Sequence, residues 1–479
     1  MVPLDAAAFH PSWNLLEGTA STASPVRRPG EEFRAILHLK RGVPAMAIPG
    51  RFPEGRDAAI VITDHCDFDT VESTRKFLDE WLDRGLRITK GAFARLQPPT
   101  GRAAAATLQN VEYSQILRKL HEDGSEIAPH GLAESGQIAE EDYLITLQEF
   151  VSQWKPETWI DHGRSLNYCL SMGGDSEPYR LSDTLRRNGF IALWSYHDIP
   201  FLPISSLNML SPDRARFLPT TRLVLREFVR GRPLIAAHHV RTAMRAADDV
   251  FAYKFLAWLM SLVRQIVFNG RSSRKSLKGI IELMQRRTHA GEQRSPHTRF
   301  ELQQYAPTVY SKSCHPLPAG DLLLFATQEV NHLADVYTPS AVQRLVSERG
   351  LHIGHCYLTC PLPYINGLWQ SPGSISSEWR RFLDALQREV SSGRLWNPTL
   401  GELARWTEAA SAVEVIADSN AITLRNTSGS RVKGFTILVE SGREIQGDWV
   451  TGMRDWEDWT AVWGDIPPKA TVSLRLVEA

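Results

Sequence analysis

Apolar residues along 58–410 alternate between short runs and stretches of helical period. An apolar run at 58–63 precedes residues 70–84, where Phe77, Leu78 and Trp81 recur on one helical face. The same alternation predicts strands at 125–130, 158–162, 190–196, 233–237, 322–327 and 351–357, and helices at 111–123, 140–154, 179–188, 338–349, 376–391 and 399–409. Repeated strand–helix units predict an α/β fold with a parallel sheet or a barrel.

The two ends of the chain differ from the central part in composition and in the spacing of apolar residues. Residues 1–55 are rich in Pro, Gly and Ala without a sustained period, which indicates an extended segment. The central unit is predicted at 56–410, with a mostly helical insertion at about 242–292. Residues 411–479 are predicted to form a small β-sandwich-like domain, because short alternating runs lie between turn residues. These runs are 413–416, 421–426, 434–440 and 471–477.

Composition excludes several classes of protein. Lys+Arg and Asp+Glu are 54 each, so the net charge is zero and no nucleic-acid partner is predicted. The five cysteines lack paired spacing, which argues against a disulfide framework or a structural zinc site and favours a reducing compartment. They are Cys66, Cys169, Cys314, Cys356 and Cys360.

The chain shows no secretory signal and no uncharged apolar stretch of membrane-spanning length, so we expect a cytoplasmic protein. The most apolar stretch, 250–268, is broken by Lys254 and Arg264, and a basic patch follows at 271–278. Residues 250–278 therefore offer two interpretations. One is a peripheral membrane contact; the other is a helix packed on the main domain or at a subunit contact. The oligomeric state does not follow from the sequence.

Polar clusters fall at the ends of several predicted strands. Residues 63–69 read Thr-Asp-His-Cys-Asp-Phe-Asp directly after a buried run. Asp and neutral His together suit a divalent metal, with Zn²⁺ first and Mn, Fe or Co as alternatives. The simpler interpretations are a polar turn with an Asp cap and buried His residues that bond to carbonyls. The later clusters contain His130 with Glu134, Asp161-His162, His238-His239, and His355.

The order of these clusters resembles the polysaccharide deacetylases, a carbohydrate esterase superfamily that includes nodulation-type chitooligosaccharide deacetylases. Residues 63–67 occupy the place of the first motif, Gly-Ser-Glu-Ile-Ala-Pro-His at 124–130 leads into the second, and 354–358 is similar to the last. A closing segment like 395–403, followed by a small β domain, also occurs in long members. The resemblance implies a distorted (β/α)7-type barrel and metal-dependent removal of an acyl group, N-acetyl above all, from an amino sugar or glycan.

The resemblance also implies a metal set. Asp67 matches the metal Asp and His130 the first metal His. Glu134 stands where the family has its second metal His, so either Glu134 or His162 completes the set. We favour His162, because it lies at the end of a predicted strand, whereas Glu134 lies on a loop, and because it gives the softer donor set that zinc prefers. Glu134 then remains a candidate for holding an imidazole tautomer.

The same resemblance implies catalytic and substrate-binding residues. His355 matches the general acid that protonates the leaving amine, and Asp64 is the expected base, with His65 as the alternative because the Asp pair is shifted by one residue. Candidates for contact with a carbohydrate or amino-sugar substrate are Trp159, Asp161, Trp194 and His332.

Two other functions stay open from the sequence. The altered second and third motifs, the latter now Trp-Ile-Asp-His-Gly at 159–163, are compatible with another metal-dependent C–N or ester hydrolysis, or with lyase chemistry. A catalytically silent relative that binds carbohydrate, membrane or protein through the tail or the 250–268 segment is the alternative from a different class. Metal content separates this last hypothesis from the enzymes.

Overall fold

A computed structural model describes most of the predicted core elements. The described residues are 47–95, 105–133, 140–162, 181–194, 207–209, 226–227, 229–232, 308–309, 323–325, 327–330, 333–360, 368–371, 374–417, 420–440, 442–456 and 459–478. The predicted insertion at 242–292, the 250–278 segment, the strand at 233–237 with His238-His239, and the candidates Glu134 and His332 lie outside them. Among the described residues, no helix is long and apolar enough to cross a membrane.

Strands and helices are numbered in chain order within the described residues. The strands are β1 (Ile48–Pro49), β2 (Ala58–Asp64), β3 (Thr89–Ala92), β4 (Glu126–Pro129), β5 (Thr158–Ile160), β6 (Ala192–Trp194), β7 (Thr308–Val309), β8 (Leu323–Leu324), β9 (Gln328–Val330), β10 (Leu351–Cys356), β11 (Trp369–Ser371), β12 (Ser374–Ile375), β13 (Leu395–Trp396), β14 (Val413–Ala417), β15 (Ala421–Asn426), β16 (Val432–Glu440), β17 (Arg443–Gln446), β18 (Gly452–Trp456), β19 (Trp459–Ile466) and β20 (Thr471–Glu478). The helices are α1 (Val71–Leu82), α2 (Val111–Glu122), α3 (Glu140–Trp154), α4 (Leu181–Arg187), α5 (Leu333–Val336), α6 (Pro339–Ser347), α7 (Ser377–Ser391) and α8 (Leu400–Ser411).

Parallel strands form the centre of the molecule. One sheet has the order β4-β3-β2-β10-β9, with β13 beside the start of β2, and all of its pairings are parallel. A second sheet has the order β5-β6-β8-β7, in which β7 alone is antiparallel. A parallel bridge between His130 and Ile160 connects β4 to β5 and so joins the two sheets. The predicted mixed α/β fold with a parallel sheet is confirmed.

Alternate side chains of β2 enter two different cores, as the period of two in a strand requires. Ile60 and Ile62 pack in an outer core with the helices, whereas Ala59 and Val61 belong to an inner core. The inner core collects side chains from both parallel sheets, including Ala128, Ile160, Ala192, Trp194, Leu323 and Ile353. On all of these strands, the side chains on the same face as Val61 therefore pack in one inner core.

Side-chain caps mark where several helices begin. Thr70 caps α1 and forms a capping box with Ser73, and Thr399 forms the same arrangement with Glu402 at α8. Asn110 accepts from Tyr113 N at the start of α2. Because each cap satisfies backbone N–H groups that have no partner inside the helix, these residues set where the helix begins.

The C-terminal part is an antiparallel all-β unit. Two four-stranded sheets, β14-β15-β20-β17 and β1-β16-β19-β18, enclose one apolar core that includes Ile422, Phe435, Val462 and Leu474. Strand β1 comes from the N-terminal segment and pairs with β16. Part of the segment predicted to be extended thus belongs to this unit.

Several elements differ from the sequence prediction. Strand β3 was not predicted, because its sequence Thr-Lys-Gly-Ala has no apolar run. Strands β17, β18 and β19 were also missed, since polar residues and turns interrupt their alternation. The long helices at 70–84, 111–123 and 140–154 were predicted to within two residues at each end.

Candidate active site

The carboxyl ends of the parallel strands bring together side chains that lie far apart in the sequence. Five of these side chains lie on the same side of the strands as the inner core. They are His65 after β2, His130 after β4, His162 after β5, Trp194 at the end of β6 and His355 near the end of β10. All five are buried. Parallel strands present their carboxyl ends at one edge of the sheet, where such folds bind ligands.

Asp67 lies at the centre of the imidazoles. Its two oxygens are each 3.1 Å from an Nε2 atom, Oδ2 from that of His130 and Oδ1 from that of His162. One possible ligand atom from each of His65, Asp67 and His130 lies within 4.8 Å of the others. The sequence assigned His65 to proton transfer; the structure places it with these two predicted metal ligands.

Burial and the close spacing set the charge of these groups. Burial lowers the pKa of His65 well below its ordinary value, and the neighbouring His355 and His130 lower it further. Burial also lowers the pKa of His130, although Asp67 opposes this. Burial alone would raise the pKa of Asp67, but its hydrogen bonds to His130 and His162 outweigh it and hold that pKa well below the usual range. These shifts favour the neutral forms of His65 and His130 and the ionised form of Asp67.

His355 and Trp194 form the inner wall of the site. The ring of His355 stacks on that of His65 with centroids 3.9 Å apart. Trp194 meets both imidazoles edge-on, at 4.8 Å from His65 and 4.7 Å from His355, and its Nε1 donates to Thr327 Oγ1 at 2.8 Å. The hydrogen bond orients the indole against the two imidazoles.

The outer rim of the site is aromatic and partly open. Asp67, Phe68 and Tyr357 are half-buried, whereas the imidazoles beneath them are buried. The rings of Phe68 and Tyr357 lie 5.7 Å apart, and that of Tyr357 lies 4.9 Å from His355. A ligand that approaches Asp67 therefore meets two apolar ring surfaces.

Asp64 lies on the opposite face of β2 from His65. Its Oδ2 is 2.8 Å from Lys90 Nζ, and its Oδ1 accepts from Leu358 N at 2.8 Å. Burial, with a smaller contribution from the charge of Asp69, raises the pKa of Asp64 to about 6, although the charge of Lys90 opposes this. The predicted base is thus engaged by other groups behind the strand end.

Two substrate-binding candidates also lie on the outer face. Trp159 packs against Tyr143 and Phe190, and its Nε1 donates to Asp161 Oδ1 at 2.8 Å. Trp159 and Asp161 lie on the opposite face of β5 from His162, because successive side chains along a strand alternate between its two faces. The structure therefore brings Trp194, but not Trp159 or Asp161, to the imidazole cluster.

The donor set fits a divalent metal. Two ligands at about 2.1 Å from a tetrahedral zinc ion lie about 3.4 Å apart, and the two Asp67–imidazole distances of 3.1 Å are close to that spacing. Nδ1 of His65 and Nδ1 of His162 are buried without a hydrogen-bond partner among the described residues. Nitrogen and carboxylate donors with such unpartnered atoms suit Zn²⁺ and, less selectively, Mn, Fe or Co.

Three neighbours of the site were missed from the sequence. Phe93 stacks on His130 with centroids 5.2 Å apart, Tyr357 flanks His355, and Lys90 binds Asp64. Tyr357 lies at the end of a strand that the sequence predicts, a position that could have marked it as a rim residue, whereas Phe93 follows β3, which the sequence does not predict. Lys90 gave no such signal, because a lysine in a short polar segment is ordinarily exposed.

Comparisons with known proteins yield little. No protein-family model matches the chain, and no curated protein matches it. Among solved structures, it aligns with the crystal structure of Agd3, described as a novel carbohydrate deacetylase, at 10% identity and a TM-score of 0.38. The alignment covers 88% of this chain and 66% of that chain, so this chain spans just under two thirds of that protein's length. A likeness at this TM-score does not establish a family, so membership in the polysaccharide deacetylases stays a prediction from the sequence motifs.

Proposed function

We propose that this chain is a metal-dependent hydrolase that removes an acyl group, N-acetyl above all, from an amino sugar or glycan. The observation that carries the proposal is the group formed by His65, Asp67 and His130, whose possible ligand atoms lie within 4.8 Å of one another. The resemblance of the sequence motifs to polysaccharide deacetylases supplies the class of reaction.

The proposal includes the finer fold. Both parallel sheets fill one inner core, and the bridge between His130 and Ile160 joins them. This supports a distorted (β/α)7-type barrel over 56–410, with the β-sandwich-like unit at 411–479 as a separate domain.

Asp67 and His130 would hold the cation, and either His65 of the same cluster or His162, whose Nε2 is 3.1 Å from Asp67, would complete a set of three ligands. Three protein ligands leave a fourth position open, as catalytic metal sites require. Zinc is the metal we expect, with Mn, Fe or Co as alternatives. A divalent cation here supplies Lewis acidity that lowers the pKa of a water and polarises a carbonyl.

His355 is the proposed proton donor to the leaving amine. It is buried, stacked on His65 and beside the half-open rim at Tyr357, so its ring can reach a ligand at the cluster. Asp64 stays a prediction from the resemblance, because its carboxylate is bound by Lys90 and the Leu358 amide. Phe68 and Tyr357 support a carbohydrate substrate, since aromatic faces bind the apolar faces of sugar rings.

Elemental analysis of the purified protein tests the proposal. We expect about one equivalent of a divalent metal, lost in Asp67→Ala and His130→Ala but kept in the controls Asp79→Ala and His121→Ala, which alter an exposed Asp and a His remote from the cluster. Acetate release from N-acetylated amino sugars should follow the metal. A protein that neither contains nor takes up zinc, manganese, iron or cobalt would overturn the proposal and favour a silent binding protein.

A further inference from the structure

A lysine is buried directly behind the proposed metal site. The side chain of Lys90 is 0% exposed, and its Nζ lies 2.8 Å from Asp64 Oδ2 and 2.7 Å from Asp69 Oδ2. The contact with Asp64 follows from the sheet, because β2 and β3 pair in parallel with Asp64 opposite Lys90. The lysine reaches Asp69 across the turn that follows.

The two carboxylates bracket the residues that carry the site. His65 and Asp67 lie within the six residues 64–69, which we call the site loop, and Lys90 joins its first residue to its last. Asp69 N donates to Cys66 O at 3.1 Å within the loop. One ammonium group thus closes the loop that presents two of the three clustered ligands.

The same carboxylates reach the segment that follows His355. Leu358 N donates to Asp64 Oδ1 at 2.8 Å, and Thr359 Oγ1 donates to Asp69 Oδ1 at 2.7 Å. The Lys90 cluster therefore joins the site loop and the end of β10, and the stacked pair of His65 and His355 spans the same two segments.

Stability alone gives a weak reason for this arrangement. Replacing a buried ion pair or triad with apolar side chains of similar volume is often neutral or stabilising, because both charges must leave water. An ammonium group with two carboxylate partners does, however, fix the positions of both partners, which apolar contacts do less well.

We propose that Lys90 is a positioning residue, which holds the site loop so that His65 and Asp67 are presented to the metal in one arrangement. The inference rests on the proposed function, since it concerns the affinity of that metal site. It assigns Lys90 no contact with substrate or metal. Residues that hold metal ligands in this way typically change metal affinity about 10- to 100-fold when they are replaced.

Two variants and one control test the role. Lys90→Met removes the ammonium group but leaves two buried carboxylates, so it is the variant most at risk of misfolding. Asp69→Asn is milder, because Lys90 keeps Asp64 and only its charged contact with residue 69 is lost, while the asparagine oxygen can still accept from Thr359 or Tyr113. Glu126→Gln is the control: Glu126 is also a buried carboxylate, whose oxygens accept from Thr158 N and Gly401 N at the opposite end of the strands.

The readouts are the zinc dissociation constant, the visible spectrum of the Co²⁺-loaded protein, and hydrogen exchange of residues 65–69 in the metal-free protein. We expect a dissociation constant raised about 10-fold in Asp69→Asn and up to about 100-fold in Lys90→Met. We also expect a changed cobalt spectrum and faster exchange in the loop. Glu126→Gln should lower thermal stability and leave all three readouts as in the wild type.

The outcomes separate this inference from the proposed function. Wild-type affinity, spectrum and exchange in folded Asp69→Asn would overturn the positioning role and leave the metal site intact. An equal loss of affinity in Glu126→Gln would also overturn it, because general destabilisation would then explain the effect. A wild-type protein that binds no metal would remove the proposed function and this inference with it.

Discussion

At the scale of single residues, the side chains at the end of β2 divide between the two faces of the sheet, with His65 on one and Asp64 on the other. From the sequence, Asp64 and His65 are alternatives for one role because the Asp pair is shifted by one residue, and a shift of one residue along a strand changes the face on which a side chain lies. The structure places His65 with Asp67 and His130, and Asp64 with Lys90. Asp67 follows the strand in a turn, where no periodicity predicts direction.

His355 gives a test of proton transfer at this scale. His355→Ala should leave metal content unchanged and lower kcat by about 10²- to 10⁴-fold, because general acid catalysis contributes that much. Elemental analysis and acetate release from an N-acetylated amino sugar measure the two effects. His121→Ala, which alters a His at the end of α2, is the control. Retained turnover in His355→Ala would end the assignment of His355 as the acid.

Gly131 gives a second test, because its conformation brings two candidate ligands together. Its φ is +64°, and a Cβ there would lie 2.8 Å from His162 Cβ. Gly131→Ala should therefore cost about 1–3 kcal/mol of unfolding free energy and weaken zinc binding. Gly189→Ala is the matched control, since Gly189 has φ +86° but no atom of the described residues within 4 Å of its Cβ position.

Denaturant unfolding and zinc titration of both glycine variants distinguish backbone strain from displacement of His162. We expect a loss of stability in each and a loss of metal affinity in Gly131→Ala alone. Equal zinc affinity in the two variants would show that close packing of Gly131 on His162 does not shape the site.

At the scale of elements, long periodic segments were predictable and short polar strands were not. Helix α1 has a clear apolar face and a capping box, both visible in the sequence. Strand β3 has no apolar run, Thr89 is its only β-branched residue, and its Lys90 is buried against two carboxylates. Because these contacts join residues that are distant in the sequence, no local pattern of residues in β3 indicates a strand.

The carboxyl group of Glu157, next to the start of β5, should make the stability of the protein depend on pH. Burial raises its pKa from 4.5 to about 7, Arg405 opposes the shift, and Glu126 and Glu402 add to it. Because the folded state holds this proton more tightly, the contribution is present below pH 4.5 and is lost as the pH rises through about 7. Glu157→Gln should therefore show a smaller fall in Tm between pH 5 and pH 8 than the wild type.

Thermal scans across that pH range provide the measurement, and Glu408→Gln, an exposed position on α8, provides the control. The control should follow the wild-type profile throughout. A Glu157→Gln profile parallel to that of the wild type would show that this carboxyl titrates near its ordinary value in the folded protein.

At the scale of the whole molecule, the segment before β2 connects the β-sandwich to the parallel sheets. Thr436 of β16 donates from Oγ1 to Phe52 O at 3.0 Å and accepts from Gly55 N at 2.9 Å. Arg454 of β18 binds Asp57 at 2.6 Å. The sequence predicted two units but not these contacts, because they depend on residues about 380 positions apart.

These buried contacts predict that the two units unfold together. Thr436→Val keeps the shape of the side chain but leaves the Phe52 carbonyl and the Gly55 amide without this partner, so the free energy of unfolding should fall by about 2–4 kcal/mol. Hydrogen exchange should then become faster in β2 as well as in β16, since one cooperative transition exposes both. Thr451→Val removes an exposed hydroxyl that donates to Trp463 O, and its effect should stay within about 0.5 kcal/mol. Faster exchange in β16 with β2 unchanged would mean that the sandwich unfolds alone, and the site at the end of β2 would then be independent of the C-terminal unit.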